Sequence, residues 1–369
     1  MTTLYFRLRR RPSRMPGMNA PPPTPTPRAP ASHAASAPYW RRFCRICALG
    51  WLLAAWALQQ GVNAMPVPQP GPQAPTTERR AFGPLISAPA LAAQVARVRI
   101  LDIRDDAADA AHIPGAVAAP YALWRGPASN PGALLPLSQF TALLRRLGLD
   151  ATTPVVIVAA GSDASDFGAP ARVYWTLKWL GLQHLAILNG GMAAWQAAAL
   201  PLTRAPTRVA PSPYTPVLDA AVLATRAQVE RDLGHPGTLL LDARPRAFYL
   251  GQTKAAAATR PGTLPGALDF DNARWFALCG GALPDAAVLQ QIARTLPKQR
   301  DARQTVSFCN TGHWAATNWF VLSEVLHQPH LALYPGSMVD WSRADAPMAH
   351  VPTRLQQLWQ QLEQTWQAL

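Results

Sequence analysis

Short, mostly apolar runs alternate with stretches of helical periodicity through the body of this chain. The apolar runs lack the polar alternation of a half-exposed strand, so they predict parallel strands that are covered on both faces. The predicted strands are 98–101, 155–158, 238–241 and 305–308, and the predicted helices nearest to them are 89–96, 220–233 and 315–327. This order of elements predicts an α/β fold in which parallel sheets are flanked by helices.

The same order of motifs occurs twice, at a period of about 140–150 residues. Each copy has a strand that ends in Asp-x-Arg, a Pro-Gly-Ala segment, a central apolar strand, a helix, and a closing turn followed by a tryptophan that we expect in the core. The matched pairs are Asp102-Ile103-Arg104 with Asp242-Ala243-Arg244, His112-Ile113-Pro114-Gly115-Ala116 with Thr263-Leu264-Pro265-Gly266-Ala267, and Trp195 with Trp341. The repeat predicts two domains of one fold, residues 85–204 and 219–350, joined by a proline-rich linker at 205–218.

Cys309 stands at the position in this pattern where chemistry is expected. It follows the strand 305–308 and begins a loop that precedes the predicted helix 315–327. Parallel sheets place functional loops at the carboxyl ends of their strands. The N–H groups of such a loop and of a helix start favour the thiolate, the nucleophilic form of cysteine. A buried and inert thiol is the alternative.

The two ordered sets of motifs resemble the tandem-domain rhodanese-type sulfurtransferases over residues 85–350. The resemblance implies a catalytic second domain and a catalytically silent first domain, in agreement with the first domain's loop at 159–168, which has no cysteine. It also implies double displacement: Cys309 takes a sulfane sulfur from thiosulfate or 3-mercaptopyruvate, becomes a persulfide, and passes the sulfur to cyanide or a thiol.

Donors of this kind are anionic, so arginines near Cys309 are expected to bind them. The resemblance assigns substrate contact to Arg244, with a structural salt bridge as the alternative. Arg260 falls near a second basic position of the family, with a solvated surface charge as the alternative. Asp242 is expected to support the site by orienting the strand end.

The loop after Cys309 is expected to surround the substrate, with Gly312 allowing the backbone to curl around the sulfur. Its substrate-binding residues are predicted to be Asn310, Thr311, Gly312, His313 and Trp314. They match neither the basic loop of thiosulfate-preferring members nor the Gly-Ser-Gly-Val loop of mercaptopyruvate-preferring ones, so donor preference stays open. His313 either titrates beside the persulfide or fills the outer face of the loop. Trp314 either lines the cleft mouth or plugs the domain interface.

Charge is concentrated at the start of the chain. Residues 1–64 hold nine arginines and no Lys, Asp or Glu, out of a formal net charge of +14. The remainder has 25 basic and 20 acidic residues without a basic stripe, which gives no case for nucleic-acid binding.

The uncharged run 46–58 follows Arg41-Arg42 and is shorter than the roughly 20 apolar residues of a membrane-spanning helix. It has the length of a signal-peptide core. We therefore expect 1–64 to be a Sec-type signal peptide with an extended N-region, cleaved after Ala64, and a periplasmic or secreted protein. A retained anchor is the alternative. Residues 65–84 are expected to be a flexible Pro-rich spacer.

Three other functions fit parts of this pattern. A cysteine phosphatase or arsenate reductase needs an arginine six residues after the cysteine, where this chain has Ala315. A thiol–disulfide oxidoreductase needs a partner thiol, and the mature body has only Cys279, expected to be a buried filler; a disulfide between the two is a less favoured alternative. The main alternative is a non-catalytic rhodanese-like module that binds sulfur, an anion or a partner.

No motif for a metal or an organic cofactor stands out, so we expect no cofactor. The expected partners are a small anionic sulfur donor and a thiol or cyanide acceptor. In the tail 351–369, apolar residues at helical spacing predict a C-terminal helix that packs on the second domain, with an oligomer contact as the alternative.

Overall fold

A computed structural model describes residues 83–276, 280–296, 303–353 and 355–356. They form two β-sheets, one in each copy of the repeat, and every strand pairing is parallel. The first sheet has the order β1-β5-β4-β2-β3, and its strands are β1 (Leu85–Ile86), β2 (Arg99–Asp102), β3 (Ala116–Ala118), β4 (Val155–Val158) and β5 (Leu185–Leu188). The second has the order β7-β6-β8-β9, and its strands are β6 (Thr238–Asp242), β7 (Leu268–Asp269), β8 (Gln304–Phe308) and β9 (Leu331–Leu333). The predicted α/β class is confirmed.

Helices flank both sheets. The α-helices are α1 (Ala88–Ala92), α2 (Leu137–Arg146), α3 (Gly168–Trp179), α4 (Gly191–Ala197), α5 (Arg226–Arg231), α6 (Arg246–Tyr249), α7 (Ala286–Ala293), α8 (Trp314–Trp319) and α9 (Ser337–Arg343). Single 3₁₀ turns occur at Val95–Arg97, Tyr121–Trp124, Ala220–Val222 and Asn272–Phe276, and a π-helical segment, Phe320–Val325, continues α8. Among the described residues, no helix has the length and apolarity that crossing a bilayer requires.

The prediction of one helix over 220–233 is wrong. The segment contains a 3₁₀ turn and the separate helix α5, because Ala224 N–H donates to Leu333 O of β9 between them. Thr225 then begins α5 with a capping box, in which its hydroxyl accepts from Gln228 N–H while the Gln228 side chain accepts from Thr225 N–H. The Thr-x-x-Gln spacing was the available signal for this restart.

Two further helix predictions need smaller corrections. The predicted helix 89–96 is α1 followed by a 3₁₀ turn, and Ser87 caps its start. The predicted helix 315–327 begins one residue earlier and changes from α-helix to π-helix at Phe320. Helical periodicity alone does not report such changes in hydrogen-bond pattern, because the same face stays buried.

The register of the second sheet brings the Asp-x-Arg motif and the Cys309 loop of the second domain together. Asp242, the last residue of β6, pairs with Phe308, the last residue of β8. Ala243 N–H then donates to Phe308 O at 2.9 Å, so the Asp-x-Arg segment leaves the sheet beside the loop that begins at Cys309. Parallel pairing makes this proximity automatic, because both strands end at the same edge.

The largest apolar cluster contains buried residues of both domains. Tyr174 of α3 packs edge-on against Phe320 with ring centroids 5.0 Å apart, and Phe167 lies 5.4 Å from Phe276 and 5.8 Å from Phe320. Two smaller clusters cover the other face of each sheet and include Trp195 and Trp341, both buried. The shared cluster holds helices α3 and α8 against each other, which places first-domain side chains next to the Cys309 loop.

The linker makes hydrogen bonds to the first domain. Ser212 N–H donates to Arg145 O of α2 and the Tyr214 hydroxyl donates to Leu180 O; just after the linker, Asp219 N–H donates to Trp179 O. The predicted signal peptide, nearly all of the predicted spacer and most of the predicted C-terminal helix lie outside the described residues, so those predictions stay predictions.

Candidate active site

Cys309 is a free thiol with no exposed surface, placed immediately after the fully buried end of β8. Its N–H donates to Ser337 Oγ at 3.0 Å, and its carbonyl accepts from Met338 N–H at 3.0 Å. Ser337 Oγ in turn donates to Tyr334 O at 2.7 Å. The start of α9 therefore fixes the backbone of Cys309 from both sides.

The loop that follows Cys309 keeps its backbone donors available. Within the described residues, the N–H groups of 310–313 donate to no protein acceptor, although the Asn310 carbonyl accepts from Val339 N–H at 3.0 Å. Successive unpaired N–H groups in a tight loop form a binding site for an anion. The loop is thus held through its carbonyl oxygens and leaves its N–H groups for another acceptor.

Gly312 is required for this loop to close. Its φ of +67° lies in the left-handed region, which side chains disfavour. An added Cβ would overlap Arg172 Nη1 and would lie 2.7 Å from Pro335 O. The expected role of Gly312, a position where the backbone must curl without a side chain, agrees with this geometry.

Arg244 makes the salt bridge that the sequence left as an alternative to substrate contact. Its side chain is buried and donates to both carboxylate oxygens of Asp242, at 2.8 and 2.6 Å, and to Gly262 O at 2.8 Å. Asp242 also accepts from the Thr263 hydroxyl at 2.7 Å. One contact, from Nη1 to Asn310 Oδ1 at 3.4 Å, reaches the Cys309 loop. Asp242 therefore orients Arg244, and Arg244 contacts the side chain next to the cysteine.

Arg260 contacts a different part of the domain. Its guanidinium donates to Ala346 O at 2.9 Å and pairs with the exposed carboxylate of Asp345 at 3.3 Å. Both partners follow the end of α9, and among the described residues the structure shows no contact from Arg260 to the Cys309 loop. The predicted role of Arg260 in substrate binding has no support in this arrangement and stays a prediction.

His313 joins the two domains. Its Nε2 lies 2.8 Å from Ser165 O, which can only accept, so Nε2 has the proton and donates. Nδ1 of the neutral ring then accepts from the Tyr121 hydroxyl at 2.9 Å. Burial, together with the positive charge of Arg125, lowers the pKa of His313 to about 4. The ring is therefore neutral at pH 7, and both of its nitrogens are hydrogen-bonded.

Trp314 lies on the same boundary. Its indole N–H donates to Ser165 Oγ at 2.8 Å, and its ring packs edge-on against Phe248 at a centroid distance of 6.0 Å. Of the two roles considered for Trp314, the contact with Ser165 favours the domain interface. Thr311 contributes its carbonyl oxygen to that boundary, since Arg125 Nη2 and Arg172 Nη1 donate to it at 2.9 and 3.2 Å.

The sequence did not single out Tyr121, Arg125 and Arg172, the first-domain residues at this loop. Arg172 had a usable signal: it is a charged residue in the middle of the apolar stretch 169–177, and α3 buries it completely. Tyr121 and Arg125 had none, because the 3₁₀ turn and loop on which they lie show no periodicity. Ser337, which accepts from Cys309 N–H, was visible only as part of the closing turn.

The described residues lack the groups that other site chemistries need. No group of three His, Cys, Asp or Glu side chains in that part of the chain could hold a metal ion. Ala315 is buried in α8 at the position where a phosphatase needs its arginine. Cys279 lies outside the described residues, and Cys309 is a free thiol rather than half of a disulfide.

Two parallel α/β domains, the second with a free thiol at a strand end, define a class of duplicated cysteine proteins. The family model of the rhodanese-like domain matches residues 87–198 and 225–344, and this chain belongs to that family. The resemblance inferred from the two motif sets is confirmed.

Relatives and solved structures agree. A probable 3-mercaptopyruvate sulfurtransferase of Pseudomonas aeruginosa is 32% identical over 199 residues, which cover 54% of this chain and 68% of the relative. A thiosulfate sulfurtransferase of the same species is 30% identical over 242 residues, 64% of this chain and 85% of the relative. The structure of SseA from Escherichia coli superimposes with a TM-score of 0.59 at 24% identity and covers 69% of this chain and 98% of SseA. That likeness supports the fold.

Proposed function

We propose that this protein is a sulfurtransferase that moves a sulfane sulfur from a donor to a thiophilic acceptor through a persulfide on Cys309. The observation on which the proposal depends is the free thiol of Cys309 at the head of a loop whose N–H groups have no acceptor among the described residues. An anion bound there, thiolate or persulfide, would be stabilised by these donors. The relatives named thiosulfate and 3-mercaptopyruvate sulfurtransferases support the same chemistry.

The proposed reaction has two displacements. Cys309 thiolate attacks the outer sulfur of thiosulfate, the S–S bond breaks, and sulfite leaves with the electron pair; with 3-mercaptopyruvate, the C–S bond breaks and pyruvate leaves after its carbon takes a proton. Cyanide or a thiolate then attacks the terminal sulfur of the persulfide and returns Cys309 to the thiolate. Because Cys309 has no exposed surface, we expect a local opening to admit the donor.

The complete burial of Cys309 is also the observation that favours the alternative, a non-catalytic rhodanese-like module. Mass spectrometry of the intact protein after incubation with thiosulfate or 3-mercaptopyruvate separates the two functions. We expect a mass increase of about 32 Da, one sulfur atom, that maps to Cys309 and is reversed by cyanide. Cys309→Ser should take up no sulfur, and Cys279→Ser is the matched control that should behave as wild type. If the protein took up sulfur from neither donor, the result would support the non-catalytic module.

We also propose that the protein acts after export, in the periplasm or outside the cell. The proposal depends on the leader: Arg41-Arg42, the uncharged run 46–58 and the small residues before the expected cleavage site. N-terminal sequencing of the mature protein should begin at Met65. A mature N-terminus upstream of residue 60 would contradict the cleavage, and full-length protein in the membrane fraction would support a retained anchor instead.

A further inference from the structure

Two arginines of the first domain lie against the loop that Cys309 begins. Arg172 Nη1 donates to the carbonyl oxygens of Thr311 at 3.2 Å and Gly312 at 3.3 Å, and its Nη2 donates to Gly132 O at 3.3 Å. Arg125 Nη2 donates to Thr311 O at 2.9 Å. Two guanidinium groups therefore share one carbonyl oxygen, two residues after the cysteine.

Each guanidinium lies over an aromatic ring, Arg125 over Tyr121 and Arg172 over Trp175, but neither has a carboxylate partner in the described part of the chain. Arg172 and Arg244 are the arginines buried there; Arg244 pairs with Asp242, whereas Arg172 has no carboxylate within 4.0 Å. Burial, reinforced by the charge of Arg125, lowers the pKa of Arg172 to about 9. A buried cation without a counter-charge is unfavourable, and a bound anion would reduce that cost.

Each guanidinium group also has a nitrogen donor without an acceptor in the described residues. Arg125 Nη1 and Arg172 Nε are buried and donate to no acceptor in the described residues, although buried guanidinium nitrogens are normally paired. The unused N–H groups of 310–313 belong to the loop that the two arginines contact. A negative charge on Cys309 raises the pKa of Arg172, so the thiolate is within electrostatic reach of that guanidinium.

We propose that Arg125 and Arg172 form an anion subsite at Cys309, contributed by the first domain, for an anionic sulfur donor and for the sulfur anion that the donor leaves. Arg172 is a positioning residue that holds the loop carbonyls and adds a fixed positive charge. Arg125, which is only half-buried, selects anionic reagents over neutral ones. The proposal rests on the proposed function, since it adds two first-domain residues to the binding of that site's anionic donor, and it makes the domain without a loop cysteine a contributor to specificity.

The test uses two alkylating reagents of nearly equal size, the anion iodoacetate and the neutral iodoacetamide, on the full chain. Labelling of the Cys309 peptide is followed by mass spectrometry, and the ratio of the two rates is compared between variants. The ratio cancels the fraction of thiolate and reports the charge that surrounds the sulfur. Arg125→Met should lower the ratio about five-fold, which is the effect in water of removing a unit charge ~4 Å from the carboxylate of the reagent. Arg125→Lys should retain most of the wild-type ratio.

Arg145→Met is the matched control, because Arg145 is an exposed arginine of α2 that donates to Tyr214 O of the linker. It should leave the ratio unchanged. An unchanged ratio in Arg125→Met, or no labelling of Cys309 by either reagent, would overturn the subsite. KM for thiosulfate should rise in Arg125→Met with a smaller change in kcat. The alkylation test uses no sulfane donor, so a failure to form persulfide would count against the proposed function and leave the subsite to be judged by the ratio alone.

Discussion

The two domains share one scaffold and differ in how they use its central loop. In each, the helix after the last strand donates to the carbonyl of the first loop residue: Met192 N–H to Ala159 O, and Met338 N–H to Cys309 O. In the first domain, the Asp166 carboxylate accepts from Gly161 N–H at 2.6 Å and Ser162 N–H at 3.3 Å. In the second, the corresponding donors have no acceptor within the described residues. The donors of one loop are satisfied by its own carboxylate, whereas those of the other have no acceptor in the described part of the chain.

The Asp-x-Arg motif does not distinguish the domains. Arg104 donates to Asp102 at 2.6 Å in the first domain as Arg244 donates to Asp242 at 2.6 Å in the second. An ion pair that is present in both copies, including the copy without a cysteine, is better explained by a role in folding than by a role in catalysis. The comparison therefore favours a structural role for the ion pair, with the added contact to Asn310 as the feature specific to the second domain.

A cavity of about 520 Å³ lies between the loop of the first domain and His313 of the Cys309 loop. Its lining includes the carboxylates of Asp105, Asp106 and Asp166 but only one arginine, Arg104, which is already ion-paired. Burial raises the pKa of Asp166, as expected for a carboxylate that has lost part of its hydration. A site of this composition disfavours an anionic donor.

The largest expected effect comes from removing the cysteine of the second-domain loop. Cys309→Ser should reduce sulfur transfer on the order of 1000-fold or more, because the nucleophile is lost. Adding Ala159→Cys, at the equivalent position of the first domain, should not restore transfer, since the Asp166 carboxylate occupies the loop donors there. Steady-state transfer from thiosulfate to cyanide measures both. Restored activity in the double variant would show that the two loops are interchangeable.

The second effect concerns two glycines of the second domain. Gly312→Ala should destabilise the protein by about 2 kcal/mol or more and impair sulfur transfer, because the new Cβ overlaps Arg172 Nη1. Gly266→Ala is the matched control: its φ is +74°, but nothing lies within 4 Å of an added Cβ. It should cost only the backbone strain, about 1 kcal/mol. Urea unfolding of both variants gives the difference, and equal losses would mean that the loop tolerates a side chain at 312.

The smallest effect depends on pH and on the boundary between the domains. The pKa of His313 is about 4 in the folded protein, below the ordinary value of 6.5, so the unfolded chain binds more protons between these values. Stability should therefore fall as the pH is lowered from about 6.5 towards 4, by an amount on the order of 1 kcal/mol for this half-buried ring.

The variant His313→Gln isolates this contribution. It should flatten the dependence of the unfolding free energy on pH between 7 and 5, measured by urea unfolding at each pH. Glutamine is neutral throughout the range and can still donate to Ser165 O. An equally steep dependence in His313→Gln would place the titration on another group.

Particular residues show how far prediction from the sequence could go. The strand, loop and helix around Cys309 were predictable because an apolar run followed by a loop and a helical pattern is a local signal. The division of 220–233 into two helical pieces was missed, because Ala224 pairs with β9, more than a hundred residues away. The partners of His313 were missed for the same reason: Tyr121 and Ser165 belong to the other copy of the repeat.

The sequence by itself determined the duplicated α/β scaffold, the single loop cysteine of the second domain and the ends of the strands where chemistry belongs. These features follow from hydrophobic periodicity and from the shared edge of parallel strands, which are properties of short segments. Only the tertiary structure decided which loop donors are already satisfied and which charges face the loop. Arg125 and Arg172 reach Thr311 because α3 packs against α8, and no local pattern records a contact between side chains so far apart in the chain.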